Sequence, residues 1–395
     1  MAELLSIFDR SVAYEPGGDF EAFLKQVPAR WVVYLFTDEH DQPVQLLCVK
    51  NLRYSLKRRL GGEEMVGVSK RVNYRQLVRR VYWRRVDSAF EADWVYLEAA
   101  RQLFPTSYQG MVGFRPAWFV QVNPEAKFPR YIKTTDLSSK AGVLIGPVED
   151  KHAAQRLIAL AEDCFDLCRY YNILVAAPQG KACAYKEMGR CPAPCDGSIS
   201  MEQYRQMVAL SVRTMVQPGE FVQEQTRQMQ EAAAGLQFEV AGKIKARIEQ
   251  AGQFGHGAYR HARRLEDFAF LMLQRGPKAG RVKVFLVVRG TIEEVAGLIG
   301  EAGGIEDLLE CIRARAGECA KEELTAAGVE RIGLVAAHLL SGKQSQGVFL
   351  QLDEVDEKAV MKGYRELGKH KEEEEVEGEG VIKELQASEG PMSKS

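Results

Sequence analysis

Four cysteines lie within 28 residues of the chain, at Cys168, Cys183, Cys191 and Cys195. Thiolates are soft, negatively charged ligands, and four that meet at one point can hold an iron–sulfur cluster or a zinc ion. Pro192, Pro194 and Gly197 place tight turns around the last two cysteines, and such turns hold the intervening backbone in a compact loop. The spacing therefore predicts a metal centre, with an iron–sulfur cluster as the first candidate and zinc as the second.

The expected location of the protein decides how these thiols are interpreted. No stretch approaches the ~18 continuous apolar residues of a membrane span, and the N-terminus lacks the basic-then-apolar pattern of a signal peptide. We therefore expect a cytoplasmic protein that does not contact a membrane. Because thiols stay reduced there, metal binding explains the clustered cysteines better than disulfides do. Cys48, Cys311 and Cys319 are expected to be ordinary buried thiols.

Residues 50–85 form a basic segment with twelve Lys or Arg and only two acids, although the net charge of the chain is −1. Tyr74, Tyr82 and Trp83 are interleaved with these cations. Cations that bind phosphates and rings that stack on bases are typical of nucleic-acid-binding surfaces, whereas the alternative is a solvated helix face. The residues expected to contact nucleic acid are Lys57, Arg58, Arg59, Arg71, Arg75, Arg79, Arg80, Arg84 and Arg85.

The elements that position these residues begin with a β-hairpin, predicted from the β-rich runs 31–36 and 43–49. Asn51 is a candidate N-cap for a basic helix that ends near Leu60, and a second basic helix is expected from Asn73 toward Tyr82. A third helix is expected near 93–104, before a proline.

A long helix from about Asp150 to Cys168 is expected to lead into the cysteine cluster. Residues 200–252 indicate a helical hairpin with an apolar seam, broken at Pro218 and Gly219. In the last third, the patterns predict strands at 282–288 and 347–352 and helices at 292–299, 305–314 and 357–367.

A chain of 395 residues exceeds what one hydrophobic core usually serves, so several domains are expected. We predict an α/β (α+β) multidomain protein. Its expected parts are a small mixed domain with a basic surface at 1–125, a linker with the cysteine-rich region at 126–200, a helical hairpin at 201–252, a mixed α/β domain at 253–368 and a disordered acidic tail at 369–395.

The run from Lys181 to Ser200, with the core Gly-Arg-Cys-Pro-Ala-Pro-Cys-Asp-Gly, resembles the cysteine-rich signature of the UvrC family of excinucleases. That family supplies the incision component of bacterial nucleotide excision repair, and the resemblance extends over roughly residues 20–290. It implies DNA as a partner and a [4Fe-4S] cluster on Cys168, Cys183, Cys191 and Cys195. Cys164 is an alternative to Cys168 as the first ligand.

The helix expected from Gln225 to Gln250 is similar to the UVR motif, by which members of the UvrC family dock on a matching segment of UvrB. The resemblance implies a UvrB-like partner. The alternative is that the apolar seam packs on its own chain. The residues expected to bind the partner are Met229, Leu236, Phe238 and Ile244.

The N-terminal hairpin is similar to a GIY-YIG nuclease domain, aligned by Lys50-Asn51-Leu52-Arg53 and by Tyr96-Leu97-Glu98-Ala99. The resemblance implies Tyr34 as a catalytic tyrosine and Glu98 as the ligand of one Mg²⁺ or Mn²⁺. Three other catalytic positions differ from the family pattern, since a tyrosine, a glycine and an arginine are replaced by Gln45, Leu47 and Ser55.

Losing an electrostatic donor such as that arginine typically costs ~10²–10³ in rate. Helical spacing makes Arg58 a conceivable substitute for the missing charge and Arg53 a poor one.

Two functions therefore stay open. The first is a repair endonuclease that cuts one DNA strand beside a lesion after recruitment by the partner. The second is a non-catalytic adaptor or regulator that keeps the DNA surface, the cluster and the partner helix. An iron–sulfur redox enzyme is disfavoured because the chain has no nucleotide-binding glycine loop.

Overall fold

A computed structural model describes residues 2–61, 73–278, 280–299, 305–341 and 347–368. Arg71 and the predicted acidic tail lie outside these described residues. The helices are α1 (Ala2–Ile7), α2 (Phe20–Lys25), α3 (Leu52–Leu60), α4 (Tyr74–Leu77), α5 (Ala89–Leu103), α6 (Lys151–Cys164), α7 (Tyr171–Leu174), α8 (Ala184–Glu187), α9 (Met201–Val216), α10 (Pro218–Ala234), α11 (Phe238–Ala251), α12 (Ile305–Cys319), α13 (Ala326–Leu340) and α14 (Glu357–Gly368).

The strands form three antiparallel four-stranded sheets in the described residues, with the orders β1-β4-β2-β3, β6-β5-β7-β8 and β11-β10-β9-β12. Their bounds are β1 (Arg10–Ala13), β2 (Val32–Thr37), β3 (Pro43–Val49), β4 (Arg80–Arg85), β5 (Trp118–Val122), β6 (Ile132–Thr134), β7 (Val143–Val148), β8 (Arg263–Arg264), β9 (Ala269–Arg275), β10 (Arg281–Val288), β11 (Thr291–Ile299) and β12 (Val348–Gln351). The predicted α/β (α+β) fold class is confirmed.

The N-terminal sheet confirms the predicted hairpin, since β2 and β3 pair antiparallel. Helix α3 begins after Asn51, whose side chain accepts a hydrogen bond from the Tyr54 N–H at 3.0 Å. The second basic helix was predicted too long, because α4 ends at Leu77 and β4 follows at once. The run Val81-Tyr82-Trp83 is β-branched and aromatic, which favours a strand paired with β2 over a helix.

Alternate residues of β2 enter two cores on opposite faces of this sheet. Val32, Tyr34 and Phe36 pack with α3, whereas Val33 and Leu35 pack with α5. The period of two along the strand produces this division. Helices α3 and α5 therefore lie on opposite faces of the sheet.

The middle sheet packs against α6 and α9. Helix α6 ends at Cys164, four residues before the predicted end, and Asp166 has a positive φ of 52° just beyond it. Cys168 therefore lies in the loop after the helix.

The predicted helix from Gln225 to Gln250 is two helices, α10 and α11, which pack together as a hairpin. Gly235 caps α10, and the N–H of Gln237 bonds to the carbonyl of Ala232 at 2.9 Å. This pattern of bonds ends a helix with a residue in the left-handed region. Here that residue is Leu236, with a φ of 61°.

The C-terminal sheet contains a second correction. The predicted helix at 292–299 is strand β11, paired with β10 through a tight turn at Arg289 and Gly290. Arg289 has a φ of 51°, as a two-residue hairpin turn of this kind requires. A Cβ on Gly290 would lie 2.4 Å from the Gly328 Cα atom, so glycine is required where this turn touches α13.

Helix α13 has no counterpart among the predicted elements. Its buried residues Ile332, Leu334 and Val335 share one core with α5, with the middle sheet and with the C-terminal sheet. A helix that is buried on most sides lacks the polar face that marks amphipathic helices in a sequence. Among the described residues no helix is both long and apolar enough to cross a membrane.

Candidate functional site

The cysteine loop, residues 165–200, follows α6 and ends at α9. The N–H of Gly180 bonds to the carbonyl of Cys195 at 2.8 Å, which closes the loop on itself. Ala193 and Gly197 both have left-handed backbone conformations, with φ of 56° and 79°, on either side of the turn that carries Cys195. These constraints hold the turn in the compact form that the prolines and the glycine predict.

Three of the four predicted cysteine ligands interact within this loop. A hydrogen bond from the Cys168 thiol lowers the pKa of Cys191 to about 6, and the same contact raises the pKa of Cys168. Burial and the nearby charges of Asp196 and Cys191 raise the pKa of Cys195. Cys183 is half-buried in the same loop, immediately before α8.

In the described residues, no group of three or more His, Cys, Asp or Glu side chains is arranged to hold a metal ion. The donor set is nevertheless the soft one that iron–sulfur clusters and zinc take. The loop thus places Cys168 beside Cys191, with Cys195 close enough to sense the charge of Cys191, and the Cys168 thiol donates to the Tyr170 carbonyl at 3.5 Å.

Cys164 and Cys168 differ in their surroundings. The buried Cys164 thiol donates to the carbonyl of Arg247 on α11 at 3.8 Å, and burial raises its pKa to about 12. Of the two cysteines, Cys168 is therefore the one beside Cys191. The expectation for the remaining thiols holds for Cys319, which is buried, but Cys48 is half-buried and Cys311 is exposed.

Tyr34 lies in a small polar group beside α3. Its hydroxyl is 3.0 Å from the Ser55 hydroxyl, and both residues are buried. Burial raises the pKa of Tyr34 to about 12, so the phenol keeps its proton at neutral pH. The position that carries arginine in the resembling family therefore does contact Tyr34, but with a neutral serine.

Arg59 was not predicted as a substitute for the arginine charge that is missing at Ser55. It lies one helical turn after Ser55, donates to the Gln45 side chain at 3.4 Å and lies over the Tyr74 ring at 6.0 Å. The spacing of four residues could have identified it, because such residues share a helix face. Arg53 instead bonds to the carbonyls of Leu24 and Val27.

Glu98 does not share a site with Tyr34. Its helix, α5, packs on the opposite face of the sheet, and its carboxylate accepts bonds from Arg331 of α13 at 2.7 and 3.0 Å. Arg101 binds the same carboxylate. A divalent cation at Glu98 would therefore have to displace two guanidinium groups.

The predicted basic surface is divided. Adjacent residues of a strand point to opposite faces, so Arg84 and Arg85 of β4 lie on opposite sides of the sheet. Arg80 lies 3.8 Å from Asp41. Arg79 donates to two backbone carbonyls, those of Gln76 and Val78.

Lys57, Arg58, Arg75 and Arg85 are exposed, whereas Arg59, Arg79, Arg80 and Arg84 are partly buried. Tyr82 and Trp83 are buried in the core, so the expectation that they stack on bases is wrong.

The hairpin of α10 and α11 presents its turn to solvent. Leu236 and Phe238 are 74% and 66% exposed, and no residue of α10 is buried. Met229 and Ile244, the other two predicted partner-binding residues, are partly buried along the two helices. The apolar side chains at the turn are therefore available to another molecule.

Comparison with known proteins is consistent with this arrangement. Residues 117–214 match the family model for the middle domain of the UvrC/Cho excinuclease. The matched range runs from the start of the middle sheet through all four predicted cysteine ligands to α9. No solved structure matches the chain.

Similar proteins include three described as UvrABC system protein C. The one from Syntrophomonas wolfei subsp. wolfei is 27% identical over 179 residues, which are 44% of this chain and 29% of that protein. The one from Campylobacter jejuni strain 81-176 is 24% identical over 261 residues, 65% of this chain and 42% of that protein.

The one from Kocuria rhizophila is 25% identical over 293 residues, 72% of this chain and 41% of that protein. The chain thus covers less than half the length of each of these relatives. The relationship predicted from the cysteine signature is confirmed.

Proposed function

We propose that this chain, a relative of the UvrC family, is a cytoplasmic nucleotide excision repair protein that binds DNA and a UvrB-like partner. The observation that carries the proposal is the family match over residues 117–214, because it includes the whole cysteine loop and three of the four strands of the sheet that supports it. The proposed DNA-binding residues of the N-terminal sheet and the exposed hairpin supply the two binding functions.

A [4Fe-4S] cluster is the proposed cofactor, with Cys168, Cys183, Cys191 and Cys195 as its ligands. Thiolates bind both iron–sulfur clusters and zinc. The resemblance of residues 181–200 to the cysteine-rich family signature favours the cluster, which when bound would supply a rigid inorganic crosslink.

The residues around the proposed cluster connect it to the rest of the unit. The buried hydroxyl of Tyr204, on α9, accepts a hydrogen bond from the Cys168 N–H at 3.1 Å. Cys191 and Cys195 lie on the other arm of the loop. A crosslink between the two arms would fix the loop against α9.

The UvrB-like partner is proposed to bind the turn of the hairpin through Leu236 and Phe238. Exposed apolar side chains of this size gain free energy when another apolar surface covers them. They belong to a hairpin that buries little against its own chain. A matching helical hairpin on the partner would bury these side chains and the seam beside them.

For catalysis, the geometry supports the non-catalytic adaptor better than the nuclease. Strand cleavage by the family mechanism would need Glu98 to hold Mg²⁺ or Mn²⁺ near an activated tyrosine. Glu98 is paired with two arginines on the far side of the sheet from Tyr34. Tyr34 is buried, and its raised pKa opposes loss of its proton.

An incision assay tests the proposal. A lesion-bearing duplex is incubated with UvrA and UvrB, with Mg²⁺ or Mn²⁺ and with either the wild-type chain or Glu98→Gln. We expect the chain to bind DNA and UvrB without nicking either strand. Metal-dependent nicking that Glu98→Gln abolishes would instead establish the nuclease.

Wild-type chain that binds neither DNA nor UvrB would refute the repair function itself. A Tyr34→Phe variant serves as a second control, because it keeps the ring in the core and removes only the hydroxyl. Nicking that both variants retain would point to contaminating nuclease.

A further inference from the structure

A patch of aromatic and cationic side chains lies beside the cysteine loop. It consists of Arg130, Arg169, Tyr170, Tyr171 and Tyr185, and is called the tyrosine surface below. Tyr170 and Tyr171 are 46% and 39% exposed. Neighbouring exposed rings beside cations form a candidate contact surface for another molecule.

The members of the tyrosine surface contact one another. The Arg130 guanidinium lies 4.0 Å from the centre of the Tyr171 ring, and the Arg169 guanidinium lies 4.5 Å from that of Tyr185. The rings of Tyr170 and Tyr185 are 5.9 Å apart. The segment before β6, the start of α7 and the start of α8 therefore form one continuous surface.

Cations outnumber acids in two of the segments that carry these side chains. Residues 127–133 contain Lys127, Arg130 and Lys133 without an acid, and residues 181–190 contain three cations and only Glu187. Two acids of this region are already paired. Asp163 binds Arg169, and Asp196 binds Lys186 at 2.6 Å.

Rings beside cations fit one kind of nucleic acid. A base inside a duplex is already stacked on its neighbours, so an exposed tyrosine can stack only on an unpaired base. The cations near the rings match the phosphates of such a strand. Exposed tyrosines also occur in protein interfaces, but here the positive charge favours a polyanion.

We propose that the tyrosine surface binds unpaired nucleotides of DNA, with Tyr170 and Tyr171 stacking on bases and Arg130 contacting a phosphate. The choice of DNA rests on the proposed repair function. The rings are held in place because α7 is anchored by the buried Leu174 and because Cys168 is bonded to Tyr204 two residues before Tyr170. The surface would hold a strand opened by other components of the repair system.

The test measures binding of the full chain to fluorescein-labelled oligo(dT) of 20 nucleotides and to a 20-base-pair duplex, by fluorescence anisotropy. The double variant Tyr170→Ala/Tyr171→Ala is expected to bind oligo(dT) about tenfold or more weakly, with little change for the duplex. The double variant Tyr170→Phe/Tyr171→Phe keeps both rings and should bind as the wild type does. Circular dichroism of each variant checks that it folds.

Two further variants separate stacking from charge. Leu210→Ala removes a 41% exposed apolar side chain from α9, which carries none of the proposed DNA-binding residues, and should leave binding unchanged. Arg130→Gln should lower the slope of log K against log salt by about 0.7, as expected for one lost phosphate contact on a single strand. The alanine double variant should keep the wild-type slope.

Several results would overturn the proposal. One is unchanged oligo(dT) binding by the folded alanine double variant, and another is equal loss by the phenylalanine double variant. Tighter binding of oligo(U) than of oligo(dT) would assign the surface to RNA. Loss of UvrB binding with oligo(dT) binding intact would assign it to protein.

If the wild type binds neither oligo(dT) nor the duplex, DNA binding fails for the proposed function and for this surface alike. If the wild type binds the duplex but not oligo(dT), only the present inference fails.

Discussion

Arg331 and Glu98 join helix α13 to helix α5 through two hydrogen bonds of 2.7 and 3.0 Å. They are 233 residues apart in the chain. Similar contacts continue along α5, since Lys283 binds Asp87 and Glu91 at 2.9 and 2.6 Å. Charged groups on α5, and Asp87 just before it, therefore hold the C-terminal unit against the N-terminal part of the chain.

Replacing Arg331 should weaken this junction. In Arg331→Met the partly buried Glu98 and the carbonyl of Gly290 lose a donor, which is expected to lower the free energy of unfolding by about 1–3 kcal/mol. Urea denaturation followed by circular dichroism measures the change. Lys140→Met removes a pair with Glu323 whose side chains are more than three-quarters exposed, so it should change stability by less than about 0.5 kcal/mol.

The cysteine variants test the proposed cluster directly. Anaerobically purified wild-type protein should be brown and contain about four iron atoms and four sulfides per chain. Cys168→Ser and Cys191→Ser should each lose the visible absorption and most of the iron. Cys311→Ser replaces an exposed thiol on α12 and should retain both. Colourless wild-type protein with one zinc ion per chain would contradict the cluster.

Acid should reveal the unusual setting of His261. Burial and the neighbouring arginines lower its pKa to about 4, and Arg260 donates to its Nε2 atom at 2.8 Å. An unfolded histidine is protonated below about pH 6.5, whereas this folded one is not until about pH 4. Its contribution to stability is therefore full above pH 6.5 and is lost as the pH falls toward 4.

The variant His261→Gln keeps a hydrogen-bond acceptor but does not titrate. We expect the wild type to lose about 1–3 kcal/mol more than this variant between pH 7 and pH 4.5, measured as the difference between their urea midpoints. Parallel profiles of stability against pH for the two proteins would show that folding does not lower the pKa of His261.

The turn of the hairpin should show a conflict between stability and binding. Leu236 has a left-handed backbone with a φ of 61° and a side chain that is 74% exposed. Glycine adopts this conformation without strain, so Leu236→Gly should raise the free energy of unfolding by about 0.5–1 kcal/mol. The same change should weaken binding to UvrB, measured by calorimetry.

Phe238→Ser provides a matched control for that measurement, because it removes an exposed ring without altering a left-handed residue. Its stability should change by less than about 0.5 kcal/mol, while its binding to UvrB falls. Unchanged affinity in both variants would remove the hairpin turn from the partner interface.

The sequence predicted those elements whose signals are local. The hairpin of β2 and β3 and the Asn51 cap of α3 follow from turn and capping residues, and both are confirmed. Strand β11 was mistaken for a helix because its apolar and polar residues do not alternate regularly. Helix α13 was missed because apolar residues occur around its circumference, so the sequence shows no helical period of apolar and polar positions.

Contacts within the site were predictable only between residues that lie near each other in sequence or that belong to a family signature. The contact of Cys168 with Cys191 was anticipated from such a signature. The pairing of Glu98 with Arg331 depends on how two parts of the chain that are distant in sequence pack together, and no local sequence pattern predicts that contact. The burial of Tyr82 and Trp83 was likewise hidden, because it required knowing that β4 lies inside the sheet.

Strand β8 follows the hairpin of α10 and α11 and pairs with β7, where Arg264 lies opposite Ile145. The ends of α10 and α11 that lie far from their turn pack on the middle unit through Phe221 and Ala251, whereas the turn itself projects into solvent. Insertions, deletions or substitutions at the projecting turn would leave the register of β7 and β8 intact. The proposed partner surface can thus diverge between relatives without loss of the middle fold.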